Sequence, residues 1–216
     1  DQSSSRGLGD VYKRQVKGIT MTQPRIPVII SSLLALSSAS SFAATVPTDT
    51  PLAKEQHFVR GNGAEPNTLD PNFVNSGMPG DIIVNDMFEG FVIENSDGQI
   101  IPGQAKEWSF SKDGKTVTFM LKEGLQWSNG EPVTASDFVF GWQRAVSPKT
   151  GNNTGFVFST ANIVNASEIL GGDKDPSELG IKALDEHTVE IALSKPTPYF
   201  MSLMSIKTFF PLPAKL

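Results

Sequence analysis

The segment 108–144 constrains the fold more than any other part of this 216-residue chain, because its structural signals follow one another without a gap. Apolar residues at alternate positions predict two strands, and Asp113 and Gly114 between them predict a two-residue hairpin turn. Thr134, followed by Asp137 three residues later, is a variant of the capping box that starts a helix. The segment therefore predicts a strand, a turn, a strand, a tight turn and a helix, with no catalytic residue.

The apolar side chains of this segment also predict which faces are buried. Trp108 and Phe110 alternate with polar residues, so we expect both rings on the buried face of the first strand. The return strand and the helix each place further apolar residues on one face, at spacings of two and of three to four residues. The core residues expected there are Val117, Phe119, Leu121, Phe138, Trp142, Ala145 and Val146.

Outside this segment, the same rules of periodicity, turns and caps give one prediction for each stretch of the chain. They predict a strand at 57–61, a helix at 81–88 capped by Gly90, a hairpin at 91–101, a polar loop at 147–160, a short helix at 166–170, a hairpin at 181–193 and a last helix beginning at Pro198.

The segment 108–144 closely resembles the family motif of extracellular solute-binding proteins for peptides, the receptor subunits of ABC importers for dipeptides, oligopeptides and nickel. A later piece, residues 183–190 followed by 198–200, looks most like the oligopeptide-binding branch. The matching positions of the motif include Trp108, Asp113, Gly114, Phe119, Leu121, Gly124, Trp127, Ser128, Gly130, Pro132, Thr134, Asp137, Phe138, Trp142 and Arg144.

This resemblance implies a mixed α/β fold of the periplasmic binding protein-like type II class, with two lobes and an extra small domain. Members of the family are more than twice this long, so the resemblance implies that only the N-terminal part of the fold is present. The implied divisions are residues 44–80 for the start of lobe I with a ligand-side loop, 81–180 for the small extra domain, and 181–216 for the return into lobe I.

The first 43 residues predict export. Residues 1–20 are polar, and we interpret them as an extraneous or upstream leader before Met21. In residues 21–43, Arg25 precedes an apolar run and small residues, which is typical of a signal peptide cleaved after Ala43 or, as second choice, Ala44. The run is shorter than the ~20 residues of a membrane span. The chain has no cysteine, so no lipidated cysteine can follow the signal peptide. A receptor without a lipid anchor would diffuse away from a cell with a single membrane, so we expect a periplasmic location.

The charge of the remaining chain argues against two classes of partner. Residues 1–43 hold five of the 18 basic and two of the 23 acidic residues, which leaves 13 and 21 and a net charge of −8. An acidic chain without basic clusters is a poor partner for nucleic acid or for anionic membrane surfaces.

The resemblance also implies a ligand-binding loop. In oligopeptide-binding relatives this loop supplies main-chain groups that pair with the bound peptide, and by position this carries over to Asn75, Ser76 and Gly77. The relatives place an acidic residue where Asn75 stands, and an ordinary surface turn is the alternative interpretation. An aromatic ligand contact of the relatives falls near Thr154, where Phe156 supplies the nearest ring.

The sequence carries no pattern that indicates catalysis. The carboxylates are scattered, the two histidines are isolated, and no G-x-S-x-G, H-E-x-x-H, cysteine pair or phosphate-binding loop occurs. Asp173, Asp175 and Glu178 could hold calcium, but a solvated loop is the favoured interpretation. We therefore predict a protein that is not an enzyme and needs no cofactor or metal.

The predicted function is a periplasmic receptor that captures oligopeptides between two lobes and delivers them, as a monomer, to the permease subunits of an ABC importer. Within the family, a dipeptide-, murein peptide- or nickel-binding member is the alternative. From a different class, the alternative is a secreted hydrolase whose catalytic half is missing. The missing lobe would decide among the ligands.

Overall fold

The computed structural model describes residues 51, 54–55, 57, 59–75 and 77–214. The predicted leader and the signal peptide with its cleavage after Ala43 or Ala44 lie outside the described residues, and so does Ser76. The chain divides into two compact units, residues 1–56 and 57–216, and the architecture below is that of the second unit.

The second unit combines short helices with antiparallel strands. Three 3₁₀ turns, at Pro148–Thr150, Pro176–Glu178 and Lys207–Phe209, connect or end these elements. The elements in chain order are helix α1 (Pro79–Met87), strands β1 (Val92–Glu94), β2 (Ile100–Pro102), β3 (Ala105–Phe110) and β4 (Thr116–Leu121), helices α2 (Ala135–Val146), α3 (Phe156–Thr160) and α4 (Ala166–Gly171), strands β5 (Ile181–Ala183) and β6 (Thr188–Ala192), and helix α5 (Phe200–Leu203).

The strands form two antiparallel sheets built from the three predicted hairpins. β1 pairs with β2 in a two-stranded sheet, and a four-stranded sheet has the order β3-β4-β6-β5. In the larger sheet Phe119 of β4 lies opposite Trp108 of β3 on one side and Val189 of β6 on the other. The strands of the segment 108–144 thus share a sheet with the later hairpin, and the three predicted hairpins are confirmed.

The core lies between the four-stranded sheet and helix α2. The seven core residues expected in β4 and α2 are all at most 1% exposed, which confirms that prediction. Phe91 completes the core: its ring stacks on Phe119 at a centroid distance of 4.2 Å and on Phe138 at 3.9 Å, with Trp142 edge-on at 5.9 Å. A side chain from just before β1 therefore joins the sheet to the helix.

The capping box at the start of α2 is confirmed. The Thr134 N–H donates to the Asp137 carboxylate at 2.8 Å, so the acidic residue reaches back to the residue before the helix as the sequence predicts. The same carboxylate accepts a bond from Trp127 Nε1 at 3.3 Å, and the preceding turn is thereby attached to the helix.

Two expectations for the hairpin β3–β4 are wrong, one for Phe110 and one for the turn. Trp108 packs against the core as expected and is partly buried, with its ring 6.3 Å from that of Phe119. Phe110 is 38% exposed, because β3 is an edge strand and has a neighbour on one side only. The turn is also longer than two residues, since the Ser111 N–H bonds to Thr116 C=O and only Gly114 in the turn takes a positive φ, of 67°. The Asp113 carboxylate closes this turn by accepting bonds from both of its ends.

Gly90 does not cap helix α1, contrary to the prediction. The helix ends at Met87 with Phe88 in an extended conformation. Gly90 is instead buried where a Cβ atom would lie 2.9 Å from the ring of Phe210. A glycine is required here by close packing, not by helix termination.

Three further local predictions are wrong, two in the type of element and one in where a helix begins. His57 and residues 59–61 carry no strand, and Val59 is 78% exposed. The stretch predicted as a polar loop at 147–160 contains helix α3 and a 3₁₀ turn. The last helix begins at Phe200, two residues after Pro198. The short helix at 166–170 is confirmed, and Gly172 ends it with φ of 86°.

The proposed division at residue 180 stays a prediction, and the four-stranded sheet draws strands from both sides of it. Across the part of the chain that the structure describes, no helix has the length and apolar character needed to cross a membrane.

Candidate ligand-binding loop

The turn before the predicted ligand loop is fixed to helix α2 by an arginine. Arg144, in the last turn of α2, donates to both oxygens of the Asp70 carboxylate, at 3.0 and 2.6 Å, and to Asn72 Oδ1 at 2.7 Å. The guanidinium also lies 5.2 Å from the ring centroid of Phe73. A two-pronged arginine–carboxylate bond fixes orientation as well as distance, so the turn has one position on the helix.

The turn itself is closed by Asp70. Its backbone carbonyl accepts bonds from the N–H groups of Phe73 and Val74 at 2.9 and 3.1 Å, and its side chain accepts from Asn72 N–H at 3.0 Å. Val74 is fully buried at the end of the turn. Asn75, the next residue, is exposed, and its carbonyl accepts from Met78 N–H at 3.2 Å.

Gly77 is held from the other side by helix α1. Its backbone has φ of +80°, the left-handed region that favours glycine, and its N–H donates to Asp81 Oδ2 at 2.8 Å. Asp81 lies in the first turn of α1. The candidate ligand loop, which runs from Asn75 to Gly77, is therefore preceded by a turn that Asp70 closes and is held at Gly77 by Asp81.

The Asp81 carboxylate also binds a lysine from the far end of the chain. Lys207 Nζ lies 2.5 Å from Asp81 Oδ1, and the lysine side chain is only 5% exposed. Burial by itself would raise the pKa of the Asp81 carboxyl, but the hydrogen bonds from Lys207 and Gly77 outweigh it, so the pKa lies below its ordinary value. Asp81 is thus charged at neutral pH.

Phe156 lies at the start of helix α3 and is 63% exposed. Its neighbour Thr154 contacts the turn, since Thr154 Oγ1 donates to the Asn72 carbonyl at 3.4 Å. No hydrogen bond or ring contact joins Phe156 to Asn75 or Gly77 among the described residues. The four predicted ligand contacts, at Asn75, Ser76, Gly77 and Phe156, stay predictions.

A cavity of about 260 Å³ lies beside the Asp70–Arg144 pair. The chain after residue 209 forms part of its wall, and this segment is fixed to α2 by bonds from Leu212 N–H and Ala214 N–H to Asp137, at 3.2 and 3.0 Å. The lining residues are Asp70, Phe140, Arg144, Leu212, Pro213 and Ala214.

The charged groups beside the candidate loop bond to one another and to the backbone. Within the described ranges, no group of three or more His, Cys, Asp or Glu side chains is placed to hold a metal ion. Asp175 of the acidic cluster caps a 3₁₀ turn by accepting bonds from the N–H and the hydroxyl of Ser177.

Sequence reasoning missed both ion pairs at the loop, Arg144–Asp70 and Lys207–Asp81, because their partners are 74 and 126 residues apart.

The chain belongs to the bacterial extracellular solute-binding proteins of family 5. The family model for the middle region, described as "Bacterial extracellular solute-binding proteins, family 5 Middle", matches residues 99–215. This range includes the four-stranded sheet and helix α2, so the family predicted from the motif is confirmed.

Several curated relatives are periplasmic binding proteins of Escherichia coli and Salmonella. The chain is 44% identical over 178 residues to "Probable deoxycholate-binding periplasmic protein YgiS" of Escherichia coli K12, which covers 82% of this chain and 33% of the relative. It is 42% identical to the periplasmic murein peptide-binding protein MppA of Escherichia coli K12, over 86% of this chain and 34% of MppA. It is also 42% identical to the periplasmic oligopeptide-binding protein OppA of Salmonella typhimurium LT2, over 86% of this chain and 33% of OppA.

Solved structures of such proteins share the fold. The unliganded open form of MppA matches with a TM-score of 0.73 at 42% identity, over 78% of this chain and 32% of that one. Haemophilus influenzae OppA in complex with the peptide RPPGFSPFR matches with a TM-score of 0.73 at 41% identity, over 76% and 32%. The chain thus spans about a third of these proteins, and the predicted fold class, part of a two-lobed α/β binding protein, is confirmed.

Proposed function

We propose that the complete natural protein that contains this chain is a periplasmic receptor that binds oligopeptides and delivers them to the permease of an ABC importer. The single observation that carries this proposal is the candidate ligand loop, which is held on both sides by ion-paired carboxylates while Asn75 and Gly77 stay exposed. Family membership and the names of relatives such as OppA and MppA support it. The receptor binds its ligand without catalysing a reaction.

The proposed binding mode is pairing of backbone with backbone. Among the described residues, none pairs with the N–H of Asn75 or the C=O of Gly77. An extended peptide offers the complementary groups at every residue, so backbone pairing gives affinity without demanding a particular sequence. Water-filled pockets can then accept different side chains. Closure of two lobes about a hinge would complete the contacts.

Calorimetry with the purified complete protein tests the ligand class. We expect titration with a mixed set of tripeptides to give saturable heat, and titration with single amino acids to give none. Deoxycholate is the informative competitor, because one relative is named for it. Binding of deoxycholate in the absence of any peptide binding would overturn the oligopeptide proposal while leaving the family assignment intact.

The proposed location has its own test. If residues 21–43 are a signal peptide, the protein recovered from the periplasm should begin at Ala44 or Thr45 by mass spectrometry. Recovery of a product that still begins at Met21 and stays in the inner membrane would contradict export through a cleaved signal.

A further inference from the structure

The ligand loop contains one backbone donor that the protein itself already uses. The Gly77 N–H donates to Asp81 Oδ2 at 2.8 Å, an ordinary length for such a bond, and the charge on the carboxylate strengthens it. A peptide that paired with this N–H would have to displace the carboxylate. The Gly77 N–H is therefore occupied by the protein's own carboxylate.

The Asp81 carboxylate, which accepts the Gly77 N–H, is also bound by a lysine from the C-terminal part of the described chain. Lys207, in the 3₁₀ turn Lys207–Phe209, binds Asp81 Oδ1, and Asn85 Nδ2 binds the same oxygen at 3.1 Å. Lys207 is almost completely buried, so its charge needs a partner. One oxygen of Asp81 thus faces the lysine while the other faces the loop.

From this geometry we infer that Asp81 is a positioning residue of the candidate ligand loop, with Lys207 as its anchor. This inference rests on the proposed function, since it assumes that residues 75–77 contact the ligand. The side chains of Asn75 and Ser76 would contribute little to affinity.

A role in helix capping alone makes a different prediction. Asp81 is in the first turn of α1, where an acidic residue stabilises a helix without any ligand. Loss of a cap lowers stability and leaves the affinity of the folded protein unchanged. Loss of a positioning residue lowers affinity in protein that is still folded, and it frees the Gly77 amide.

The test compares Asp81→Asn with Asp86→Asn in the complete natural protein. Both changes remove one negative charge from α1, but Asp86 pairs with the exposed Arg60 and, among the described residues, has no bond to Asn75 or Gly77. We expect Asp81→Asn to raise the Kd for tripeptides at least tenfold, measured by calorimetry on protein shown to be folded by circular dichroism. Asp86→Asn should stay within twofold of wild type.

Hydrogen exchange of the wild-type protein gives a second measurement that needs no variant. The Gly77 amide should be protected without ligand, and saturating tripeptide should leave its protection unchanged. Protection that appears only with tripeptide would overturn the inference, and so would equal Kd values for folded Asp81→Asn and wild type. If wild type binds no peptide at all while its Gly77 amide is protected, the proposed function fails instead.

Discussion

Replacing Phe91 by alanine tests whether one ring joins the sheet to helix α2. The ring is fully buried, stacked on Phe119 and Phe138 and in edge contact with Trp142. Removing it forfeits about 1.5–3 kcal/mol of apolar burial and aromatic pairs of roughly 0.5–1.5 kcal/mol each. These contributions overlap and do not add in full, so we expect a loss of about 3–5 kcal/mol, as is usual for Phe→Ala in a core that cannot collapse into the space.

The backbone at this position allows a clean comparison. The Phe91 C=O accepts bonds from Gly103 N–H and Ala105 N–H at 3.1 and 3.0 Å, and alanine keeps both. The control is Phe110→Ala, because Phe110 is 38% exposed and its ring meets that of Phe200 edge-on at a centroid distance of 6.5 Å. We expect the control to cost about 1 kcal/mol or less.

Urea denaturation of the complete protein provides the assay, with the free energy of unfolding extrapolated to water and the slope with urea compared between variants. A loss below about 1 kcal/mol for Phe91→Ala, or a loss no larger than that of Phe110→Ala, would refute the reasoning. Either result would mean that the sheet and the helix are joined without this ring.

The remaining predictions concern the ligand loop. Gly77→Ala places a side chain at φ of +80° with no heavy atom within 4 Å of the new Cβ, so strain of roughly 1–2 kcal/mol without a clash is expected. Calorimetry should show weaker tripeptide binding, whereas Gly130→Ala, at φ of +85° and equally uncrowded, should lose stability and keep its Kd; equal Kd values for both variants would contradict this. The lowered pKa of Asp81 means that its ionised form stabilises the folded state above the ordinary pKa of 3.8, and that this contribution is lost as the pH falls through the folded value. Unfolding followed from pH 7 to pH 3 should therefore show a smaller acid loss in Asp81→Asn than in wild type, and identical profiles would argue against the Lys207–Asp81 pair.

Much of the local structure could be predicted because the spacing of apolar residues over a few positions shows which face of a strand or helix is buried. Alternation in β4 placed Val117, Phe119 and Leu121 in the core, and helical spacing placed Phe138 and Trp142 there. These predictions depend only on how a strand or a helix projects its side chains, so they need no knowledge of the partner. The family followed from the same segment, because turn glycines and caps recur with the fold.

The sequence alone did not reveal which elements become neighbours. It showed Phe110 as a core residue, but its strand is the edge of the sheet, and edge position is decided by the order of all four strands. Phe91 lies outside any long periodic segment, yet its ring is at the centre of the core.

For the candidate site, the sequence and the resemblance indicated the loop but not what holds it in place. Arg144 reaches Asp70 across 74 residues, and Lys207 reaches Asp81 across 126. No spacing rule links residues so far apart, because their distance is set by how helices and strands pack and not by the path of the backbone between them. The position of the ligand loop is therefore a property of the tertiary structure, since the charges that fix it are brought together only when sheet, helix and C-terminal segment are assembled.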